Sequence, residues 1–289
     1  MSKYPFKLGV ITDEVSQDIF EAAEFAKKHG LDTLEIRSVN DHSPYLLTDE
    51  DVAQIKKAAA DNSLEVVAIS SPLFKCDFDD ENARKEQIEG FKYCVKIAKE
   101  LGAKLIRGFD FWNAGVSVED RAAAYAPIIE ICEKEDVYCA IEFDPSVHSS
   151  TPRLTAQLVK AINHPRIGAL YDPGNAVYSE PDVAPFPDGY NALKPYLSHV
   201  HIKDADIFDG AADSVKVGTG KVDYLGLFKQ LLADGYKGNV MLETHYRKNV
   251  ELTEEQLKRP GGSAFSLGAY PASEESIIAL KEIIDKAMQ

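Results

Sequence analysis

Four ionisable residues recur along the chain at intervals that suit one shared site: Glu142, Asp172, His201 and Glu243. Each belongs to a short apolar run, in the segments AIEFDP, ALYDPGN, HVHIKD and MLETH. They are separated by 30, 29 and 42 positions, and one strand–helix unit takes about 30 residues. The pattern therefore predicts four neighbouring parallel strands, each with one of these side chains at its carboxyl end. Three carboxylates and an imidazole suit Mn²⁺, Co²⁺, Mg²⁺ or Zn²⁺.

Two histidines of the segment HVHIKD are candidates for the imidazole ligand. Side chains of a strand alternate between its two faces, so His199 and His201 point the same way. We predict His201 as the ligand because it lies nearer the end of the strand, and His199 as its support inside the sheet. Four unrelated surface charges at loop starts are the alternative interpretation. Their register on consecutive strands disfavours it.

Short β-rich runs alternate with amphipathic segments along the whole chain. Strands are predicted at 7–12, 33–37, 65–71, 104–109, 137–143, 166–172, 198–203 and 239–244, and helices at 18–29, 49–62, 80–101, 118–135, 152–162, 224–234 and 273–287. This alternation implies parallel pairing with right-handed crossovers. Eight such units predict an α/β fold, a single (β/α)8 TIM barrel over residues 1–289. A doubly wound sheet is the alternative, but the turn TDEV at 12–15 is not the glycine-rich turn typical of one.

Three segments follow the strands that carry Asp172, His201 and Glu243. They are the irregular stretch 179–188, a polar, glycine-bearing loop from 204 to 222, and the irregular stretch 259–270. Barrel enzymes carry their chemistry at the carboxyl ends of the strands. We therefore predict active-site loops after strands six, seven and eight, covering the four ionisable residues.

Charge and composition exclude several classes of protein. The chain has 47 acidic and 32 basic side chains, a formal net charge of −15, which argues against a nucleic-acid partner or an anionic membrane surface. The apolar-rich run 64–69 is far shorter than the roughly 20 residues of a membrane span, and the opening residues do not resemble a secretory signal. Four cysteines without a CxxC pair are typical of reduced, buried thiols. We expect a cytoplasmic protein. The exposed helices of a barrel would also allow it to form a homo-oligomer.

The segments IEFDP, YDPGN, HVHIKD and LETH, in this order and spacing, resemble those of the xylose-isomerase-like TIM barrels. This is the sugar phosphate isomerase/epimerase group, which also contains the endonuclease IV-type nucleases. The stretch 217–243 is similar to the family's last strand–helix crossover, and the opening LGVITDE is similar to its first. The resemblance covers nearly the whole chain.

The resemblance implies a metal-dependent sugar isomerase or epimerase that acts on a ketose or related keto-sugar. Glu142, Asp172, His201 and Glu243 match the positions that hold one divalent ion in the sugar epimerases, with Mn²⁺ the first expectation and Co²⁺, Mg²⁺ or Zn²⁺ the others. Glu142 and Glu243 match the acid/base pair on opposite faces of the substrate. A metal-bound carbonyl and hydroxyl acidify the intervening C–H, so a proton moves through an enediolate.

Two predicted substrate contacts depart from the pattern of the ketose epimerases. His148 stands where such a member has a glutamate, and Asn175 stands where it has a histidine. The first departure speaks against epimerisation at C3. An imidazole at position 148 would suit an extra proton carrier instead.

Two cations complete the predicted substrate contacts. Lys203 lies two residues beyond His201 on the same face, where it would hold a hydroxyl, a carboxylate or a phosphate; an ion pair with Asp204 or Glu142 is the alternative. Arg107 lies inside strand four and is either a clamp for a substrate anion or a structural partner of Glu35 or Asp110. With so few cations near the site, the sequence favours an unphosphorylated sugar or cyclitol as the small-molecule substrate.

Three other functions compete with isomerisation or epimerisation. A keto-inositol or keto-sugar dehydratase or lyase would use the same metal site, with His148 as the acid for the departing oxygen. A three-zinc endonuclease is disfavoured because Arg37, Ser70-Ser71 and Asn175 stand where it has histidines. A non-catalytic sugar-binding barrel would be favoured by the loss of a ligand or a catalytic glutamate, and the sequence has lost none.

Overall fold

Eight parallel strands close into a barrel in the computed structural model, which describes residues 3–112, 115–248 and 250–289. Ten strands are present in the described residues, eight of them in the barrel. They are β1 Lys7–Ile11, β2 Thr33–Ile36, β3 Glu65–Leu73, β4 Leu105–Phe109, β5 Tyr138–Glu142, β6 Ile167–Tyr171, β7 Leu197–Ile202, β8 Asp204–Phe208, β9 Ala211–Val215 and β10 Asn239–Leu242. The order around the barrel is β1-β10-β7-β6-β5-β4-β3-β2, while β8 and β9 form a separate sheet. This closed parallel arrangement confirms the predicted (β/α)8 TIM barrel.

Helices follow the strands and bury their apolar faces against the barrel. They are α1 Ile19–Lys28, α2 Asp49–Asn62, α3 Glu81–Leu101, α4 Val118–Ala123, α5 Ala126–Glu135, α6 Pro152–Ile162, α7 Pro173–Ser179, α8 Tyr190–Leu193, α9 Tyr224–Ala233, α10 Glu254–Lys258, α11 Gly262–Ser266 and α12 Ala269–Ala287. Local sequence explains several helix ends. The Asp80 side chain accepts two amide hydrogen bonds at the start of α3, and Gly102 ends that helix with a φ of 78°.

Two predicted segments differ from the structure for reasons visible in their residues. The helix predicted at 118–135 is broken into α4 and α5. Pro127 lies in the first turn of α5, where its missing N–H costs nothing, whereas it would clash with the preceding turn of a continuous helix. The loop predicted from 204 to 222 contains the antiparallel hairpin β8–β9, whose two-residue turn is Asp209-Gly210 with both φ angles positive.

The predicted cover of the site is more ordered than the sequence indicates. α10 precedes the stretch 259–270 and α11 lies within it, and α12 begins at Ala269 rather than at 273. Asp204 accepts hydrogen bonds from the backbone amides of Gly218 and Gly220, at 2.8 and 3.0 Å, which tie the end of the hairpin segment back to β8. Across the described residues, no helix combines the length and the apolar character that crossing a membrane requires.

Candidate metal centre and active site

The barrel brings the four ionisable residues together at the carboxyl ends of neighbouring strands. Glu142 ends β5, Asp172 follows β6 and caps α7, His201 lies in β7, and Glu243 follows β10. Each is at most 2% exposed. One ligand atom from each lies within 4.8 Å of the others. The four residues, which are far apart in the sequence, therefore form one cluster in the structure.

The imidazole of His201 has a carboxylate on each side. Its Nδ1 atom lies 2.9 Å from Glu243 Oε2 and 3.7 Å from Glu142 Oε1. Its Nε2 atom lies 3.1 Å from Glu35 Oε2, inside the barrel. Burial alone would lower the pKa of His201, but Glu35 and the two site glutamates hold it well above its ordinary value. A carboxylate behind the imidazole orients the other ring nitrogen toward a cation.

His199 belongs to the layer of the barrel behind the cluster. Its Nε2 atom lies 2.8 Å from Glu35 Oε2, and Ser70 donates a hydrogen bond to Glu35 from the next strand. Burial lowers the pKa of His199. The structure thus places His201 in the four-residue cluster and His199 behind it.

Asp172 is held on two sides. Its Oδ1 atom accepts a hydrogen bond of 2.9 Å from the amide of Gly174, and its Oδ2 atom lies 2.7 Å from the Lys203 ammonium. Burial raises the pKa of Asp172 to about 7, with Lys203 opposing it. Only glycine fits at 174, because a Cβ there would lie 2.5 Å from the carbonyl oxygen of Lys203. The alternative for Lys203, an ion pair with Asp204 or Glu142, is therefore wrong, because the ammonium pairs with Asp172 and lies next nearest to Glu243.

Glu243 is surrounded by positive and imidazole groups. Arg37 donates a hydrogen bond to Oε1, His245 Nε2 lies 3.2 Å from the same oxygen, and Lys203 Nζ lies 3.7 Å from Oε2. Burial alone would raise the pKa of Glu243, but Lys203 and His201 hold it well below its ordinary value. Glu243 is thus a buried carboxylate whose neighbours favour its ionised form.

Glu142 accepts hydrogen bonds from two of the predicted substrate contacts. Arg107 Nη1 lies 3.1 Å from Oε2, and Asn175 Nδ2 lies 3.1 Å from Oε1. The predicted structural pairing of Arg107 with Glu35 or Asp110 is wrong, since its carboxylate partner is Glu142. Arg107 pairs with Glu142 because its side chain points from β4 into the barrel, where it lies beside the end of β5.

A cavity of about 280 Å³ lies over the cluster. Glu142, Asn175, Lys203, Arg107 and Glu243 line it. Its other walls are partly apolar, with Phe109, Pro145, Tyr178, Leu257 and Pro260 among them. A polar floor under apolar walls suits a small polyhydroxylated molecule.

His148 does not lie at the cavity, where the sequence predicts it as a substrate contact. It is not among the residues that line this cavity. Its backbone amide donates a hydrogen bond of 2.7 Å to the carbonyl of Phe111. Burial lowers the pKa of its ring, and the electrostatic neighbours of the ring are Arg121 and Asp110.

Several site residues escape sequence reasoning. Asp144 and Lys75 line the cavity and form an ion pair of 2.8 Å. A signal exists for both, because Asp144 is part of IEFDP and Lys75 follows β3 by two residues, beyond the strand end predicted at 71. The sequence gives no comparable signal for Glu14. It lies in the turn after β1, where His245 and Arg37 outweigh the effect of burial and lower its pKa to about 2.

The donor set fits a divalent cation. Three carboxylates and one imidazole converge, with one ligand atom of each within 4.8 Å of the others, and a positive charge already lies beside them, since Lys203 Nζ is 2.7 Å from Asp172 Oδ2. The neighbouring Lys203, Arg107 and Arg37 compensate the negative charge of the carboxylates. Carboxylates that would otherwise repel one another are stabilised in this way, and their oxygens together with one imidazole suit a divalent ion.

Known proteins resemble this chain in sequence and in fold. An uncharacterized protein of Methanocaldococcus jannaschii is 24% identical over 188 residues, 62% of this chain and 63% of that protein, so the match spans less than two thirds of that relative. An inosose isomerase of Bacillus velezensis is 24% identical over 244 residues, 81% of this chain and 85% of the relative. The structure of a D-allulose 3-epimerase from a Methylomonas species, in complex with D-allulose, superposes with a TM-score of 0.69 at 17% identity. That likeness covers 93% of this chain and 95% of the other, and it shows a shared fold.

A family model adds a direct test of the resemblance. The model described as xylose isomerase-like TIM barrel matches residues 23–261, which include all four cluster residues. The match extends over most of the chain and confirms the resemblance inferred from the four segments. The protein belongs to the xylose isomerase-like TIM barrel family.

Proposed function

We propose that this protein is a divalent-metal-dependent isomerase or epimerase of a ketose or related keto-sugar. One observation carries the proposal: Glu142 and Glu243 both line the cavity and both approach the Nδ1 atom of His201. Two carboxylates at one cation site are a suitable acid/base pair. The similarity to an inosose isomerase and to a D-allulose 3-epimerase supports this class of reaction.

Glu142, Asp172, His201 and Glu243 would hold the ion. When bound, a divalent ion polarises a substrate carbonyl and stabilises the negative charge that develops on its oxygen. Mn²⁺ is our first candidate, since oxygen-rich sites with one imidazole suit it. Lys203 orients Asp172, and Glu35 orients His201, so the site is largely preformed.

Proton transfer would use the two glutamates. Glu243 lines the cavity and lies 2.9 Å from His201 Nδ1, so it is placed to take a proton from the carbon beside the substrate carbonyl. Glu142 accepts hydrogen bonds from Arg107 and Asn175, which keep its carboxylate directed into the cavity. Return of a proton by the opposite glutamate inverts a carbon, and return to the neighbouring carbon exchanges aldose and ketose.

Elimination of water from a keto-sugar or keto-inositol requires an acid near the departing oxygen. His148 was the sequence candidate for that acid, and it does not line the cavity. The arrangement therefore favours isomerisation or epimerisation over the dehydratase alternative.

The test is turnover by the metal-loaded protein of a panel of ketoses and keto-inositols in D₂O. We expect at least one member to be converted to an epimer or isomer, with solvent deuterium at the reacting carbon. Chelator should abolish turnover and added Mn²⁺ should restore it. Conversion without solvent deuterium would indicate hydride transfer, and elimination products alone would show a lyase; either outcome contradicts the proposal.

A further inference from the structure

A second cavity, of about 430 Å³, adjoins the first on the side of β2 and β3. The two cavities share five lining residues: Lys75, Arg107, Phe109, Lys258 and Pro260. They form one cleft with two ends. The reactive end contains Glu142 and Glu243, and the outer end contains Ser38, Tyr45 and Arg259.

The outer end is rich in positive charge although the chain as a whole is acidic. The charged residues that line it are Arg37, Lys75, Arg107, Lys258, Arg259 and one carboxylate, Asp41. The first three cations have the carboxylate partners described above. Over residues 3–112, 115–248 and 250–289, neither Lys258 nor Arg259 has a carboxylate oxygen within 4 Å. Two cations at the outer end are thus uncompensated.

Both uncompensated cations are held by one aromatic ring. Lys258 Nζ lies 4.5 Å from the centre of the Trp112 ring, and Arg259 Cζ lies 5.3 Å from it. Trp112 is tied to the barrel, since its amide donates a hydrogen bond of 3.0 Å to the carbonyl of Cys76 and its backbone pairs with Val147. The negative face of an indole attracts such cations. The ring therefore holds both charged ends, within 5.3 Å of its centre.

Neighbouring acidic groups do not neutralise this pair. Glu254 lines the reactive end from the start of α10, but it forms no ion pair with Lys258 or Arg259 in the described part of the chain. Asp41 instead accepts a hydrogen bond from the Ser263 hydroxyl at 2.7 Å. Lys258 and Arg259 both line the outer end, and both side chains form charge-assisted hydrogen bonds with oxyanions.

We propose that the outer end binds an oxyanion carried by the substrate, a carboxylate or a phosphate ester, on the part of the sugar away from the reacting carbon. The inference rests on the proposed function for what happens at the reactive end, whereas anion binding at Lys258 and Arg259 is independent of it. The substrate class is then an acidic keto-sugar. This differs from the unphosphorylated sugar that the sequence favours, because the sequence does not show Lys258 and Arg259 beside the cleft.

The test compares three ligands that share one carbon skeleton: D-fructose, D-fructose 6-phosphate and D-fructuronate, with inorganic phosphate as a fourth probe. Binding to the metal-loaded protein is measured by calorimetry. We expect one of the two acids to bind at least tenfold more tightly than D-fructose and inorganic phosphate to compete with it. The double variant Lys258→Met/Arg259→Gln should abolish this preference. Lys237→Met, which removes an exposed cation at the opposite end of the barrel, should leave it unchanged.

The outcomes separate this inference from the proposed function. The acid that binds more tightly identifies the oxyanion as phosphate or carboxylate. Equal binding of all three sugars, or a preference that survives the double variant, overturns the inference even if neutral ketoses are turned over. Anion binding that depends on Lys258 and Arg259, in a protein that converts no keto-sugar, supports the inference and contradicts the proposed function.

Discussion

The Nε2 atom of His201 lies 3.1 Å from Glu35 Oε2, on the side of the imidazole opposite the four-residue cluster. This contact directs one ring nitrogen into the barrel and the other toward the cavity. A carboxylate in this position orients a metal-binding histidine and increases its basicity. No sequence motif indicates Glu35, but its contact with His201 makes it a positioning residue for the candidate metal centre.

Replacement of Glu35 tests this role. We expect Glu35→Gln to weaken divalent metal binding by about 10–100-fold, because the imidazole loses its negative partner. A metal titration with a competing chelator measures the change. Glu65→Gln is the matched control, since that glutamate is exposed and should leave affinity unaltered. Equal affinities for the Glu35 variant and the natural protein would exclude the positioning role.

The choice between the two histidines is tested by removing each in turn. We expect His201→Ala and Asp172→Ala to be purified without metal, whereas His199→Ala keeps about one ion per chain, as in the natural protein. The reason is geometric, since the Nδ1 atom of His201 faces the cluster and His199 faces Glu35. Elemental analysis of protein not treated with chelator provides the measurement. A metal-free His199 variant beside a loaded His201 variant would reverse the assignment.

The acid/base pair is tested by amide variants of similar size. Glu243→Gln and Glu142→Gln should each lower kcat by at least about 10²–10⁴-fold, the usual contribution of a positioned proton carrier. Metal content should fall less than activity, because the amide oxygen can still act as a ligand. Exchange of substrate hydrogen with D₂O separates the two residues, since the variant that lacks the initial base should lose exchange as well as turnover. Retained activity in both variants would contradict their role as the acid/base pair.

Arg37 is the partner of three buried carboxylates, so its removal should affect stability. It contacts Asp13 at 3.1 Å and also contacts Glu14 and Glu243. We expect Arg37→Met to destabilise the protein by about 3–5 kcal/mol, because it leaves buried negative charge uncompensated. Urea unfolding of the metal-free protein gives the value. As a control, Lys28→Met removes an exposed cation that pairs with Glu274, and it should change stability far less than Arg37→Met.

The pH dependence of stability can be tested at the start of α2. Burial alone would raise the pKa of Asp51, but hydrogen bonds from Asn40 and Thr48 outweigh it and lower the pKa. A depressed pKa in the folded state means that this stabilisation is present above the unfolded pKa of about 3.9 and is lost as the pH falls through the folded value. We expect Asp51→Asn to lower the free energy of unfolding at pH 7, because the neutral amide is a weaker acceptor in the capping box with Thr48.

The same comparison near pH 3 provides the contrast. There the difference between Asp51→Asn and the natural protein should shrink, because below the unfolded pKa of about 3.9 proton binding favours the unfolded chain. Glu50→Gln, one position away and exposed, should show little change at either pH. A difference that stays constant between pH 7 and pH 3 would mean that the charge of Asp51 does not contribute.

Local sequence patterns are sufficient to predict the barrel and the four positions that converge in it. Hydrophobic periodicity is local, so it marks where strands end, and parallel strands of a barrel all end on one face. That is why Glu142, Asp172, His201 and Glu243 could be assigned to one cluster. The Asp209-Gly210 turn carried an equally local signal, which predicts the β8–β9 hairpin once the turn is recognised.

The pairing of the buried charges depends on how the chain folds in three dimensions. Arg107, Lys203 and Arg37 each have several carboxylates within reach of a long side chain, and the partner depends on the neighbouring strand and on the space around it. The same holds for Lys258 and Arg259, which the chain brings over Trp112 from a distance of more than a hundred residues. Pairing across such separations is set by the packing of the whole barrel. Local sequence patterns therefore do not predict these pairs.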